Sequence, residues 1–256
     1  MNVVTTTRGK YGSTRPMVSL FPVAVMALLL VAEEAQRSDA ARAIGWQRLA
    51  ANWGLGLANV LLPSLVPVAS LVAAWVQPGQ ALASLSLAAG AAVLIMARTL
   101  GTYGLHWLAH HQPLLWQVHK LHHADGEVDI STGLRSHPLE AILSAALAAT
   151  IVALSGASVA QVALVDTLLF SAVLWHHAAI RLPARASRVL EAAFITPRLH
   201  LTHHSRLRAE HDSNYGDLFS VWDRLFGTLR VADAPPDHIG LGQDPAPISS
   251  GWRTAP

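Results

Sequence analysis

The sequence predicts an all-α fold in which a bundle of membrane helices carries a helical cap on one side of the membrane. Two observations predict it. Of the 256 residues, 52% are hydrophobic and only 13% are charged, whereas soluble domains average about 25% charged residues. Several long stretches carry no charge, and a helix needs about 20 mostly apolar residues to cross a bilayer. The chain therefore lacks the polar side chains that would cover a globule in water.

The uncharged stretches also indicate how the chain is organised. A polar tail of residues 1–16 precedes membrane helices over 17–105. Residues 106–230 carry the histidine motifs and include a helical membrane hairpin at about 141–177. Residues 231–256 form a C-terminal tail.

The number of membrane crossings is left open by the sequence. Residues 17–32 predict one retained membrane helix, and residues 49–97 are long enough for two more, separated by a turn at 77–80. If residues 17–97 cross the membrane three times, the N-terminal tail lies outside the cytoplasm. The tail carries three basic residues, however, which the positive-inside rule expects on the cytoplasmic side. Either the first segment does not span, or 49–97 does not make two full crossings.

Basic residues lie on the same side of the membrane as the histidine motifs, whereas the turn at 77–80 has none. The positive-inside rule therefore predicts that the histidine side faces the cytoplasm. The composition, rich in alanine and arginine, is typical of a bacterial protein, so we expect a multi-pass protein of the bacterial inner membrane. The basic residues in question are Arg98, Lys120, Arg135, Arg181, Arg185, Arg188, Arg198, Arg206, Arg208, Arg224 and Arg230.

Composition excludes several kinds of site. The chain has no cysteine, which excludes disulfides, thiolate zinc sites, iron–sulfur clusters and a cysteine nucleophile. The formal net charge is +2 without a dense basic run, so nucleic acid is not an expected partner. We find no serine–histidine–carboxylate arrangement, no phosphate-binding glycine loop and no dinucleotide fingerprint.

Fourteen histidines stand out, and most of them lie in three short motifs. HWLAH spaces two histidines at i and i+4, and HKLHH and HLTHH each space three at i, i+3 and i+4, so each motif presents its imidazoles on one helical face. Imidazole nitrogen suits iron, zinc and copper. Eight ligands are too many for one ion, which predicts a site for two. These residues are His106, His110, His119, His122, His123, His200, His203 and His204.

A structural role is the alternative for any one of these histidines. A lone histidine beside an apolar segment is usually structural, and a single HxxxH motif is weak support for a metal site. Buried imidazoles without partners each cost free energy, however, so eight structural histidines would need eight separate explanations. The three motifs together favour metal binding.

The three motifs and their flanking text resemble a known family. Together with LLWQVHKLHHAD, STGLRSHPLE, HHAAIRLP, TPRLHLTHHS and DSNYGDLFSVWDRLFGT, they resemble the histidine boxes of bacterial members of the fatty acid hydroxylase/sterol desaturase superfamily of membrane di-iron proteins. The resemblance covers roughly residues 95–230. It implies two non-haem irons, with zinc as a possible substitute, that activate O2 to hydroxylate or desaturate a lipid.

The resemblance also implies a ligand set of ten histidines, in which His137 and His177 join the eight of the three motifs. For His137, which precedes a proline, a structural role is an equal alternative. Beside His177, the residues His176 and Ala179 replace a glutamine and an asparagine that the family usually carries, so the exact set stays open.

Electrons should come from an external reductase with a ferredoxin or cytochrome, because the chain has no nicotinamide fingerprint of its own. A basic face that includes Arg206 and Arg208 is a candidate dock for such an acidic carrier. Two other functions remain open: a zinc-dependent membrane hydrolase or isomerase, and a non-catalytic membrane metal-binding protein. The sequence does not identify the lipid.

Expectations for the neighbouring polar residues are as follows. Glu140 could support a ligand imidazole, and residues 212–216 should form a tight turn that fixes the third motif. The acidic residues of 125–129 are expected to form a solvated loop. His111, His211 and His238 match no family position and are expected at the surface.

Overall fold

The structure is a computed structural model, and it describes residues 15–36, 46–61, 65–76, 80–232, 234–236 and 238–241. Within these residues the fold is helical with two isolated β-bridges, which confirms the all-α prediction. Most of the two predicted tails lies outside the described residues. The helices are α1 Arg15–Gln36, α2 Trp46–Leu61, α3 Leu65–Val76, α4 Leu87–His111, α5 Pro113–His123, α6 Pro138–Ser155, α7 Val159–His177, α8 Ala184–Glu191, α9 Pro197–His203, α10 Arg208–His211 and α11 Val221–Leu225.

Three of the described helices, α4, α6 and α7, are long and apolar enough to cross a membrane. The helices α2 and α3 have 16 and 12 residues, fewer than the about 20 that a crossing requires. The stretch 49–97 is therefore shared among α2, α3 and the first half of α4. The predicted turn at 77–80 lies almost entirely outside the described residues.

The hairpin of α6 and α7 turns over three residues. Gly156 ends α6 in the left-handed conformation (φ 64°), where a Cβ would lie 2.5 Å from the backbone nitrogen of Ala81. Ser158 begins α7 with a capping box, in which its hydroxyl accepts from the Gln161 N–H and the Gln161 side chain accepts from the Ser158 N–H. These local signals end one helix and start the next, so the hairpin needs no long loop.

Helix α4 packs closely against α7. A Cβ on Gly90 would lie 1.9 Å from the Gln161 amide nitrogen, which donates to the Leu82 carbonyl at 2.9 Å. Leu94 and Val165 are fully buried in the apolar core beside this contact. The small residue lets the helices approach, as is common between membrane helices.

The outer faces of the three long helices are apolar and exposed. Leu154 is 83% exposed, and Met96, Ile142 and Phe170 are also exposed. Exposed apolar surface of this kind indicates contact with lipid. Because α4 and α7 end, and α6 begins, at the same end of the bundle, their histidine-bearing termini all meet there.

One ion pair lies inside this bundle. Arg98 of α4 donates to Asp166 of α7 at 2.8 Å, with side chains only 7% and 14% exposed. Removing one partner of a buried pair leaves the other charge uncompensated, which costs about 3–5 kcal/mol. We therefore expect Asp166→Leu to lower the free energy of unfolding by about that amount, measured by denaturant titration in detergent.

The matched double variant Arg98→Leu/Asp166→Leu should recover most of the loss, because no unpaired charge remains. A single variant as stable as the parent would contradict the pairing.

Candidate metal centre

Nine histidines converge in two groups at this end of the bundle. In each group the facing ring nitrogens all lie within 4.8 Å of one another. All but one of the side chains are buried, and His106 is half-buried. Group A consists of His106, His110, His119, His123 and His203, and group B consists of His122, His177, His200 and His204.

The two HxxHH motifs divide between the groups in opposite ways. On a helix, the first and last histidines of the motif share a face, whereas the middle one is rotated about 100° from the last. Each motif therefore supplies both groups and holds them side by side. In the first motif His119 and His123 belong to group A and His122 to group B, and in the second His200 and His204 belong to group B and His203 to group A.

Backbone carbonyls fix the tautomer of four of these imidazoles. A carbonyl oxygen can only accept a hydrogen bond, so the Nδ1 atom facing it must carry the proton. The other ring nitrogen, Nε2, then presents a lone pair. The pairs are His106 with Tyr215 at 2.8 Å, His122 with Arg135 at 3.1 Å, His177 with Val173 at 2.8 Å and His203 with Ser213 at 2.7 Å.

These lone pairs face one another. The Nε2 atoms of His122 and His177 are 3.2 Å apart, and that of His200 lies 2.9 Å from the Nε2 of His177. In group A, the Nε2 atoms of His106 and His203 are buried without a hydrogen-bond partner among the described residues. Metal-bound imidazole nitrogens lie about 2.0–2.1 Å from the ion, so two ligands of one ion are roughly 3 Å apart. The residues therefore fit a bound cation in each group.

Burial disfavours the protonated form of several imidazoles in the two groups. Burial lowers the pKa of His122 to about 4, with a further contribution from His119. Burial and the neighbouring imidazoles also hold the pKa of His203 and His204 well below the usual value. Neutral nitrogen is the ligating form of imidazole, and it suits iron, zinc and copper.

The turn at 212–216 supports the site as predicted. The Ser213 carbonyl accepts a hydrogen bond from the His203 ring, and the Tyr215 carbonyl accepts one from the His106 ring. Between them, Asn214 adopts a left-handed conformation with φ 53°. The Asn214 side chain donates to the Leu199 carbonyl at 2.9 Å, which ties the turn to α9. The turn therefore orients imidazoles contributed by both α4 and α9.

The first turn of α6 contributes a carboxylate. Glu140 Oε1 lies 2.7 Å from His119 Nδ1, an arrangement that orients a ligand imidazole and raises its basicity. His137 lies outside both groups, and its Nδ1 accepts from the Leu139 N–H at 3.1 Å as the N-cap of α6. The structure therefore favours the structural alternative for His137.

The family can be assigned by comparison with known proteins. The family model for fatty acid hydroxylases matches residues 91–228, more than half of the chain. The chain belongs to the fatty acid hydroxylase family. All nine histidines of groups A and B lie within the matched region.

Individual relatives match the same part of the chain. An ornithine lipid hydroxylase of Rhizobium tropici is 32% identical over 135 residues, which are 53% of this chain and 40% of the relative. The alkylglycerol monooxygenases of Homo sapiens and Danio rerio are each 31% identical, over 51% of this chain and 28% of the relative. The chain thus spans less than half the length of these relatives. No solved structure matches significantly.

Two further histidines lie beside the groups, and the sequence leaves open whether one of them, His176, takes part in the site. His211, expected at the surface, is buried, and its ring lies 4.6 Å from the rings of His110 and His123. His176 is buried 4.1 Å from the His200 ring, and its Nδ1 donates to the Asp217 carbonyl at 2.6 Å. For His211 the sequence offers no spacing signal, because it lies outside the helical motifs and reaches group A through a turn.

The acidic loop that follows the second motif is buried, which corrects the expectation of a solvated loop. Arg48 of α2 donates to Asp125 at 2.5 Å and to Asp129 at 2.8 Å. Burial alone would raise the pKa of Asp129, but Arg48 and the Ser131 hydrogen bonds lower it below the usual value. The loop folds inward because a cation 77 residues earlier in the chain pairs with it.

This network continues to His122 of group B. Asn52 donates to Asp125 at 2.7 Å and accepts from Arg135 at 2.8 Å, and the Arg135 carbonyl holds His122. Glu33 of α1 accepts from the N–H groups of Ile130 and Ala179 at 2.9 and 2.7 Å. Helices that precede the family region therefore brace the metal centre.

A cavity of about 290 Å³ ends on the two groups, and we refer to it as the apolar cavity. It lies between α4, α5, α6 and α7, and its lining includes Leu105, Leu115, Val118, Leu143 and Val173. Its inner wall is formed by the group A residues His106 and His119 and the group B residues His122, His177 and His200. The cavity can bring an apolar chain against both groups.

The Glu140 contact generates a prediction about metal affinity. Loss of a carboxylate that orients a ligand histidine typically weakens metal binding 10–100-fold. We expect Glu140→Gln to release metal to a competing chelator at correspondingly lower chelator concentration. His111→Ala, at an exposed position outside both groups, is the control and should behave as the parent. Unchanged release from Glu140→Gln would contradict the role.

A second prediction concerns the Arg48 network. Arg48→Met leaves the buried carboxylates of Asp125 and Asp129 without their cation, at a cost of about 3–5 kcal/mol. Denaturant unfolding in detergent should show this loss, whereas Arg185→Met, at an exposed position of α8, should leave stability within about 0.5 kcal/mol. Equal effects of the two substitutions would count against the network.

Proposed function

We propose that this protein is a membrane-bound di-iron oxygenase that hydroxylates a lipid. Group A and group B would each hold one iron, and an external donor would supply two electrons. The balanced reaction converts RH, O2, two electrons and two protons to ROH and water. The observation that carries the proposal is the pair of histidine groups at the inner end of the apolar cavity.

The donor set supports iron as the metal. Imidazole suits iron, zinc and copper, and two adjacent ions with neutral ligands keep a high positive charge that favours binding of reduced oxygen. Bound in groups A and B, the two irons would supply the activation of O2 that the reaction requires. Zinc fits the same nitrogens, so metal analysis has to decide between the two.

The protein's own residues perform three tasks in this proposal. The carbonyls of Arg135, Ser213 and Tyr215 and the carboxylate of Glu140 keep the imidazoles in their ligating orientation. The apolar wall of the cavity holds the substrate carbon beside the metal groups. Burial of the site excludes water from the reacting atoms.

The relatives favour oxygen insertion over desaturation. One is named as a lipid hydroxylase and the others as monooxygenases, and the apolar cavity fits an acyl or alkyl chain. The exposed apolar faces of α4, α6 and α7 support delivery of that substrate from the bilayer. We place the metal centre on the cytoplasmic side of a bacterial inner membrane, following the basic residues beside it.

The test is metal content together with oxygen incorporation. Protein purified anaerobically in detergent should contain about two irons per chain, and His203→Ala/His204→Ala, which removes one ligand from each group, should lose them. His111→Ala is the matched control, since His111 is exposed and lies outside both groups. Lipid extracts of expressing cells grown under 18O2 should contain a labelled hydroxyl that the double variant lacks.

Three results would contradict the proposal. Zinc alone after expression with ample iron would indicate the hydrolase or isomerase. Two irons without any labelled lipid would indicate a non-catalytic metal-binding protein. No metal in the parent would remove the basis for either function.

A further inference from the structure

Two buried tyrosines lie in a row beside group A. The Tyr215 ring lies 5.6 Å from the His106 ring and 5.1 Å from the His110 ring. The ring of Tyr103, on α4, is next in the row, 6.1 Å from the Tyr215 ring in an edge-to-face arrangement. Electron transfer slows steeply with distance, and each step of this row joins neighbouring rings. Because phenols are among the most easily oxidised side chains, the row is a path along which group A can draw an electron.

The two phenols differ in whether their proton has somewhere to go. Tyr103 Oη lies 2.9 Å from Thr228 Oγ1, which donates its own proton to Asp223 Oδ1 at 2.7 Å. A hydroxyl has only one proton to donate, so Tyr103 must be the donor to Thr228. The Tyr215 hydroxyl is buried and has no partner among the described residues. A phenol is oxidised far more easily when its proton can leave, so Tyr103 is suited to hold an oxidised state and Tyr215 to relay it.

The row ends at Tyr103 instead of continuing to the surface. The Phe226 ring stacks on the Tyr103 ring with centroids 5.2 Å apart and is 55% exposed, whereas Tyr103 is 5% exposed. A benzene ring without a hydroxyl is not readily oxidised, so Phe226 shields Tyr103 without extending the path. At the other end, Tyr215 lines the apolar cavity. A lipid in that cavity and Tyr215 would therefore be neighbours of the same metal centre.

We propose that Tyr103 gives one electron, through Tyr215, to the oxidised metal centre when O2 is activated without a lipid in the apolar cavity. This inference rests on the proposed function. The oxygen atom that no substrate receives needs two further electrons and two protons to leave as water. Tyr103 supplies the first electron, and the donor of the proposed reaction supplies the second and then restores Tyr103. The net reaction without substrate converts O2, four electrons and four protons to two waters.

The proton of Tyr103 stays within the protein during this step. As the electron leaves, the phenol proton moves to Thr228 and the Thr228 proton moves to Asp223. Both protons return when the tyrosine radical is reduced. Oxidising power that is not removed would attack the groups nearest to it, which are the imidazoles of groups A and B. The path therefore protects the metal centre.

The experiment looks for a tyrosine radical in protein that has no lipid substrate. Iron-loaded protein in detergent is reduced anaerobically with dithionite, desalted and mixed with O2-saturated buffer. Samples frozen at a series of times are then measured by electron paramagnetic resonance. Growth on ring-deuterated tyrosine narrows a tyrosyl signal and leaves a tryptophan signal unchanged. The radical can be assigned to a residue because the chain has only three tyrosines, Tyr11, Tyr103 and Tyr215.

The variants are Tyr103→Phe, Tyr215→Phe, Thr228→Val and Thr228→Ser, with Tyr11→Phe as the matched control. We expect Tyr11→Phe to show the parent's tyrosyl signal and Tyr103→Phe to lose it. Tyr215→Phe should form the signal more slowly, because the relay has lost its oxidisable ring. Thr228→Val removes the proton acceptor and should lower the yield of the radical, and Thr228→Ser should restore it. Equal iron content in all variants separates these effects from damage to the fold.

A second measurement tests protection. The protein is taken through repeated cycles of reduction and exposure to O2 without lipid, and its peptides are analysed by mass spectrometry. Tyr103→Phe should accumulate oxidised histidines in the three motifs faster than the parent and Tyr11→Phe. Equal accumulation in the three proteins would contradict the protective role.

The inference and the proposed function fail in different ways. If the parent makes labelled lipid under 18O2 but forms no tyrosyl signal, the inference is wrong and the oxygenase proposal stands. The same holds if Tyr103→Phe keeps the signal or Tyr11→Phe loses it, because the radical then lies on another tyrosine. If the reduced parent does not react with O2 at all, both proposals fall.

Discussion

The rest of the structure depends on one electrostatic constraint, which is that imidazole lone pairs face each other at hydrogen-bond distance with no proton between them. The Nε2 atoms of His122 and His177 are in this position at 3.2 Å, because carbonyls hold the proton of each ring on Nδ1. Burying such an arrangement costs free energy, which a cation between the nitrogens would offset. The facing nitrogens repel one another. The rings are held in place by the short helices α5 and α9, by the turn at 212–216 and by the first turn of α6.

Support for the centre extends beyond the region that defines the family. The family match begins at residue 91, yet Glu33, Arg48 and Asn52 hydrogen-bond to the loop that carries the Arg135 carbonyl. The bracing contacts are ion pairs and hydrogen bonds to buried groups, whose loss is far more costly than loss of a surface pair. The N-terminal helices are therefore part of the metal centre as much as of the membrane bundle.

Features that depend on the spacing of neighbouring residues could be predicted from the sequence. The i, i+3, i+4 repeat places His119, His122 and His123 on one helix, and the caps at Gly156 and Ser158 mark the hairpin. The division of each motif between two groups depends on how α5 and α9 lie against each other, which no local pattern encodes. The same limit applies to the pairing of Arg48 with Asp125, and to His211, which reaches group A through a turn.

The hydrogen bonds between imidazoles and backbone carbonyls also explain why the metal centre lies at the end of the membrane helices. Inside a helix each carbonyl already accepts from the backbone, and in lipid no other donor or acceptor is at hand. The carbonyls that orient an imidazole lie mostly in turns, such as those of Arg135, Ser213 and Tyr215, and the helical exception, Val173, lies one turn before the end of α7. A histidine-only site for two metals needs several such carbonyls at once. Such a site is therefore favoured where helices end, which is also where the apolar cavity between α4, α5, α6 and α7 lies.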